Sequence, residues 1–357
     1  MGLAGPGIQR HLLKAVLSLP RPVLRAASGG RAIFVGGRTL DPRFQFLVHA
    51  ARRYASTDRL SEEKARETWA QQLSLCSGQI EPGVRIEDIT LQGPHGPTQV
   101  RLYRSEGQHP DMAAIVYLHG SDEPDCLPFA DCDSICSILA RCGHAPVLAI
   151  SCQPAAERRF QACLDEALFL YRHVRDQAEL YGARKGYAAI AGDSIGGAFA
   201  ATACQELKRL GEPQPSLQIL LYPWVDLSSD SASMSLYADT TLPAPEEGPW
   251  TPERFLGPEE DPADPQVSPL KACDLSGLAA AVVVTAGFDP LVDQGEHYAR
   301  RLRAARVPLV YRCYDHLVHG FAGFTGVVPA ADIACREIAG LVREGLEGRI
   351  PASTPQD

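Results

Sequence analysis

Residues 187–203 constrain the chain more than any other stretch. An apolar run, Tyr187 to Ala191, meets Gly192-Asp193-Ser194-Ile195-Gly196-Gly197, and a helix-like run, Ala198-Phe199-Ala200-Ala201-Thr202-Ala203, follows at once. A strand that enters a helix through so short a turn brings the two elements almost into contact. Glycine at 192 and 196 leaves the room for that crossing. The serine at the apex is then held on a strained backbone with its hydroxyl projecting from the sheet end, and the helix N-terminus offers backbone N–H groups beside it. Taken alone, the pattern also fits a glycine-rich turn with a solvated serine.

Three other segments agree with the first reading. Val282-Val283-Val284-Thr285-Ala286-Gly287 reads as a buried strand, and Phe288-Asp289-Pro290-Leu291 puts a carboxylate just past its end. Val310-Tyr311-Arg312-Cys313-Tyr314 reads as another strand, followed by a loop with His319-Gly320-Phe321. The order Ser194, Asp289, His319 is that of the α/β-hydrolase triad. A serine hydroxyl needs a base, which His319 would supply. The imidazole needs its other nitrogen held and its charge balanced, which Asp289 would do. Asp293 is a rival acid, read as a cap or surface partner of the following helix, and His316 is a rival base. The third segment, Ile115-Val116-Tyr117-Leu118-His119-Gly120-Ser121-Asp122, is a strand ending in His-Gly, where a loop of oxyanion donors belongs.

With these motifs, the chain from about residue 85 to 348 resembles the hormone-sensitive-lipase-like carboxylesterases, which carry a His-Gly-Gly-Gly loop and a Gly-Asp-Ser-Ala-Gly-Gly elbow. Leu221-Tyr222-Pro223 and Asp289-Pro290-Leu291 add to the likeness. The resemblance implies an α/β-hydrolase fold: a mostly parallel eight-stranded sheet with helices on both faces and a helical cap. It implies a triad of Ser194, Asp289 and His319, oxyanion N–H groups at Ser121, Asp122 and Ile195, and a loop-orienting role for His119; the mechanism read from the loop 120–122 adds the Gly120 N–H to these donors. It also implies two-step cleavage of short- to medium-chain acyl esters, with no cofactor and no metal.

Two departures stand against it. Ser121-Asp122 replaces two glycines of the loop. An Asp122 carboxylate about 6 Å from the oxyanion, at an effective dielectric of about 20, would raise the barrier by about 3 kcal/mol, roughly a hundredfold in rate. Ser151-Cys152-Gln153-Pro154-Ala155-Ala156-Glu157 replaces an Asp-Tyr-Arg-Leu-Ala-Pro-Glu run and keeps only its alanine and glutamate positions. The expectation is a weakened or re-specialised esterase. The competing reading is a non-catalytic ligand-binding protein on the same scaffold.

A formal net charge of −9 argues against nucleic acid or an anionic membrane as the main partner and suits an uncharged small-molecule ester. The 11 cysteines form no C-x-x-C pair, and Cys132 and Cys136 have no second pair or histidines to complete a zinc site. This usage suits a cytoplasmic protein. No 18-residue apolar run argues for integral membrane association. Residues 9–27 mix leucines with Arg10, Lys14, Arg21 and Arg25, and read as a cap helix in preference to a membrane-surface helix. Monomer and homodimer both remain open.

The expected organisation is an N-terminal helical cap segment over 1–83, a catalytic domain over 84–350 and a tail over 351–357. Pro20, Pro22, Gly29-Gly30 and Gly36-Gly37 read as breaks in the cap, with a helix over 60–75. Strands are expected near 84–91, 98–103, 113–118, 145–151, 187–192, 217–222, 281–286 and 307–314. Helices are expected near 132–142, 161–181, 196–210, 293–305 and 331–346. The stretch 228–268, rich in Pro, Ser, Asp and Glu with Trp250, Phe255 and Leu256 as anchors, reads as a lid insertion.

Overall fold

The computed structural model describes residues 6–55, 73–120, 129, 132–152, 160–240, 242 and 252–352. The chain opens with helices α1 (Pro6–Leu17) and α2 (Arg21–Ala27), a minimal hairpin β1 (Phe34–Val35) and β2 (Arg38–Thr39), and helix α3 (Pro42–Ala55). Gly36 and Gly37, expected only to interrupt helices, are the two turn residues of that hairpin. Both have positive φ, 57° and 78°, as a tight two-residue turn between twisted strands requires.

Eight strands follow: β3 (Val84–Gly93), β4 (Gly96–Ser105), β5 (Ala114–Gly120), β6 (Val147–Cys152), β7 (Ala188–Asp193), β8 (Gln218–Leu221), β9 (Ala281–Phe288) and β10 (Leu309–Val318). They form one sheet in the order β10-β9-β8-β7-β5-β6-β4-β3. The antiparallel pairs are β3 with β4 and β4 with β6; the other pairs are parallel. Each expected strand is present. The intervening helices are α4 (Asp133–Cys142), α5 (Phe160–Asp176), α6 (Ile195–Arg209), α7 (Ala232–Leu236), α8 (Val292–Ala304) and α9 (Pro329–Leu346). The helix expected over 161–181 ends at Asp176. A short 3-10 turn, Ala178–Tyr181, succeeds it and closes on Gly182 at φ 72°.

Strand alternation sorts the core into two layers. From β5, Val116 and Leu118 face Phe160, Phe199 and Tyr298 of α5, α6 and α8. Ile115 and Tyr117 face the other way, toward Ile135 and Ile138 of α4 and Ala334 and Ile338 of α9. The N-terminal segment joins this second layer. Leu17, Leu40 and Phe44 are buried in it, and Phe44 meets Phe324 edge-on at 5.3 Å between ring centroids. Asp41 N–H donates to His316 O at 3.0 Å. Arg38 reaches furthest: it donates to Asp315 Oδ1 at 2.9 Å and to Gly287 O at 3.1 Å, tying β2 to the ends of β9 and β10.

Of the helix expected over 60–75, only 73–75 are described, and they are helical. In the 228–268 stretch Phe255 is buried edge-on against Trp224, and Leu256 packs on the same core. Glu260 accepts the Phe160 and Gln161 N–H groups, both at 3.3 Å, and so caps the start of α5. Trp250 lies outside the described residues.

Candidate active site

Ser194 sits between the last residue of β7 and the first of α6, at φ 54° and ψ −123°. A non-glycine residue there is strained, and the neighbours show what holds it. Ser194 N–H donates to Leu221 O at 3.0 Å, and Ser194 O accepts from Trp224 N at 2.9 Å and Gly197 N at 3.0 Å. A Cβ at Gly192 would collide with Gly196 O, and one at Gly196 with Leu118 O. The start of α6 therefore meets β7 and β5 backbone to backbone, which only glycine at both places permits.

Asp289 follows β9 and is fully buried. Its Oδ1 accepts the Leu291 N–H at 2.8 Å, which fixes the carboxylate, and its Oδ2 lies 2.8 Å from His319 Nδ1. His319 Nε2 lies 3.1 Å from Ser194 Oγ. An ionised carboxylate only accepts, so Nδ1 carries the proton and Nε2 is the acceptor for the serine hydroxyl. The register of β10 against β9 slips between Tyr314 and Val318. The strand runs on past its expected end to Val318 and delivers His319 over the sheet. Tyr222, at φ 36°, sets its ring edge-on to His319 at 5.0 Å and to Phe321 at 5.3 Å. Burial pushes the Tyr222 phenol well above its ordinary value, so it stays neutral there.

The rivals stand elsewhere. Asp293 Oδ2 accepts the Ser233 N–H at 2.9 Å and joins α8 to α7. His316 is exposed on β10, and it is its carbonyl that the N-terminal segment uses.

His119 and Gly120 close β5, one strand over from the elbow. His119 Nδ1 lies 3.1 and 3.2 Å from the two carboxylate oxygens of Asp193, and both side chains are buried. Gly120 N–H donates to Asp193 Oδ1 at 3.3 Å. The Gly120 N–H, expected among the oxyanion donors, is thus directed at the Asp193 carboxylate. A Cβ at Gly120 would sit 2.6 Å from Asp193 O, so β5 and the elbow touch here as well. Asp193 was not singled out from the sequence, although a signal existed. Leu118 pairs with Gly192 in parallel register, and the next residue on each strand is His119 and Asp193. Ile195 opens α6, so its N–H has no carbonyl within the helix to reach. Ser121 and Asp122 lie outside the described residues, as do 153–159.

Among the described residues no group of His, Cys, Asp and Glu could hold a metal. Cys132 and Cys136 are buried, and burial pushes both thiols above their ordinary value, against metal or nucleophile chemistry. A surface groove of 510 Å³ on α5, lined by Pro94, Asp165, Phe169, Arg172 and His173, includes none of these groups.

The α/β-hydrolase fold family matches residues 115–323. A carboxylic ester hydrolase of Mycobacterium tuberculosis, LipN, is 33% identical over 319 residues, 87% of this chain and 84% of its own. An ethyl acetate hydrolase of Pseudomonas putida is 31% identical over 76% of this chain and 87% of its own. An ester-hydrolase from the metagenome of Lake Arreo, solved with a bipyridine phosphonate derivative, superposes with a TM-score of 0.79 at 30% identity, over 86% of this chain and 99% of that one. The chain belongs to the α/β-hydrolases and, within them, to the hormone-sensitive-lipase-like carboxylesterases, and it is an enzyme of the carboxylic ester hydrolase class. Among the described residues no helix is long and apolar enough to cross a membrane.

Proposed function

We propose that the protein is a serine carboxylesterase acting on short- to medium-chain acyl esters, with Ser194 as nucleophile, His319 as base and acid, and Asp289 as the group that orients His319. The hydrogen-bonded chain Ser194 Oγ–His319 Nε2–Asp289, at 3.1 and 2.8 Å, carries this reading. His319 takes the hydroxyl proton as Oγ attacks the ester carbonyl. The tetrahedral oxyanion is held by Ile195 N–H and by N–H groups of Ser121 and Asp122. On its collapse the C–O bond breaks, and the alcohol leaves with the proton from Nε2. Water then gives its proton to His319 and attacks the acyl-serine, and as the C–Oγ bond breaks His319 returns the proton to Ser194 Oγ and the acid is released.

Asp193 holds His119 and Gly120, and so fixes where the donor loop starts. Residues 1–83 act as a cap and 228–268 as an insertion over a catalytic domain of 84–350, followed by a tail at 351–357. The small substrate named for the Pseudomonas relative supports the short-acyl end of the range. The test is hydrolysis of p-nitrophenyl esters of graded chain length beside Ser194→Ala. Turnover that peaks at short or medium chains and disappears in the variant is expected. Turnover that survives in the variant, or none in the parent protein, overturns the reading.

A further inference from the structure

The N-terminal segment is apolar on two sides, and the fold uses one of them. Leu17 is buried, and Leu13 packs behind it on the core. The opposite side of α1 carries Ile8, Leu12 and Ala15, spaced by four and three residues and therefore in one line along the helix. Ile8 and Leu12 are 59% and 60% exposed, and Leu19, Val23 and Phe34 are exposed soon after. Five of the eleven exposed large apolar side chains among the described residues fall between positions 8 and 34.

Charge is segregated in the same place. The first 40 residues hold six basic side chains and no acidic one, while the remainder holds 28 basic against 43 acidic. The whole-chain charge of −9 therefore hides a cationic end on an acidic body. Two of the six basic groups are used inward: Arg10 on the carbonyls of Ser74 and Leu75, and Arg38 on Asp315. None of Lys14, Arg21, Arg25 and Arg31 is paired with a described carboxylate.

We propose that this face docks the enzyme on an anionic lipid bilayer. An exposed apolar row beside cations that no described carboxylate pairs is what an interfacial helix needs: the row enters the headgroup boundary and the cations meet lipid phosphates. A nucleic acid would use the cations and leave the apolar row in water. The acidic body, repelled by the same surface, sets a single orientation with α1 downward. The cap packing of the inner side and the docking of the outer side are compatible, and neither depends on the catalytic assignment.

The test is flotation of the full-length protein with vesicles of phosphatidylcholine alone and of phosphatidylcholine with phosphatidylglycerol. Binding only to the anionic vesicles is expected. Each cation near the surface contributes about fivefold. Arg21→Glu with Arg31→Glu, both exposed, should therefore weaken binding at least tenfold, as should Leu12→Asp or high salt. Melting temperature and turnover of a water-soluble ester should stay unchanged in both variants; if Leu12→Asp fails to fold, the arginine pair alone decides. No flotation with anionic vesicles, or flotation that neither variant weakens, overturns the proposal. So does a dimer in analytical ultracentrifugation that Leu12→Asp dissociates, because a second copy then covers the row.

Discussion

Replacing Asp193 by alanine removes the one acceptor that His119 Nδ1 and Gly120 N–H share. Both donors are left in a site whose two side chains are only 8% and 10% exposed, so water does not replace the carboxylate freely. A hydrogen bond to a charged acceptor contributes about 1.5–3 kcal/mol, and the long Gly120 bond belongs at the low end. The two together come to about 4 kcal/mol, which for a chain of this size lowers the melting temperature by roughly 5–10 °C. The kinetic effect is separate. Gly120 directly precedes Ser121 and Asp122, the proposed oxyanion donors, and losing one such donor costs about 10²–10³ in kcat. Asp193→Ala should therefore lower kcat on p-nitrophenyl acetate by about a hundredfold with little change in KM. Asp193→Asn keeps one acceptor oxygen but turns an amide N–H₂ toward a donor, so its loss should be about tenfold. Calorimetry and initial rates read the two effects independently. A melting temperature that falls while kcat holds would show that the pair supports the sheet and not the loop. Neither quantity moving in the alanine variant would refute the bracing argument.

The same geometry separates the candidate bases and acids: His319→Ala should abolish ester turnover, while His316→Ala and Asp293→Asn keep it within about threefold, checked by kcat/KM on one soluble ester. Iodoacetamide with peptide mass mapping should label Cys273 in the native protein and leave Cys204 and Cys335 unlabelled until guanidinium is added. Those two thiols are buried and held protonated, and Cys273 is exposed. Asp88 and Glu212 are held below their ordinary values of 3.8 and 4.5 by hydrogen bonds from Arg101 and Arg172. The unfolded chain thus takes up protons first. Their stabilisation is complete above the ordinary values and is lost as pH falls through the lower folded ones, so Arg172→Met should flatten the acid limb of melting temperature against pH. The carboxylates are solvated, and the effect should stay below about 1 kcal/mol per pair.

Buried parallel strands announce themselves as apolar runs, and for that reason β5, β7 and β9 could be read directly from residues 113–118, 187–192 and 281–286. Ser194, Asp289 and His319 stood out because each follows such a run and their order carries information. What could not be read is what depends on the neighbour of a neighbour. Asp193 looks like part of a turn until β5 is laid beside β7 and His119 falls next to it. The slip in β10 that delivers His319 leaves no mark on apolar periodicity, because it is a matter of pairing to β9. Gly36-Gly37 punctuates the chain whether it breaks a helix or closes a hairpin. Only the partners of Arg38 and Thr39 distinguish the two. The partner of the Gly120 N–H was hidden for a similar reason: a motif names the residue, but the direction of its N–H depends on Asp193.

Arg38 also bears on how the molecule comes to be made. Its two strongest attachments lie 249 and 277 positions further along the chain, at Gly287 and Asp315. On a ribosome residues 6–55 emerge well before the surfaces that receive them. Until then, a stretch with Asp41 as its one acidic residue and two apolar sides must wait undocked while the sheet assembles beside it. Residues 6–55 are thus made long before the groups that anchor Arg38 and Asp41, and loss of the final strands would leave both without those partners.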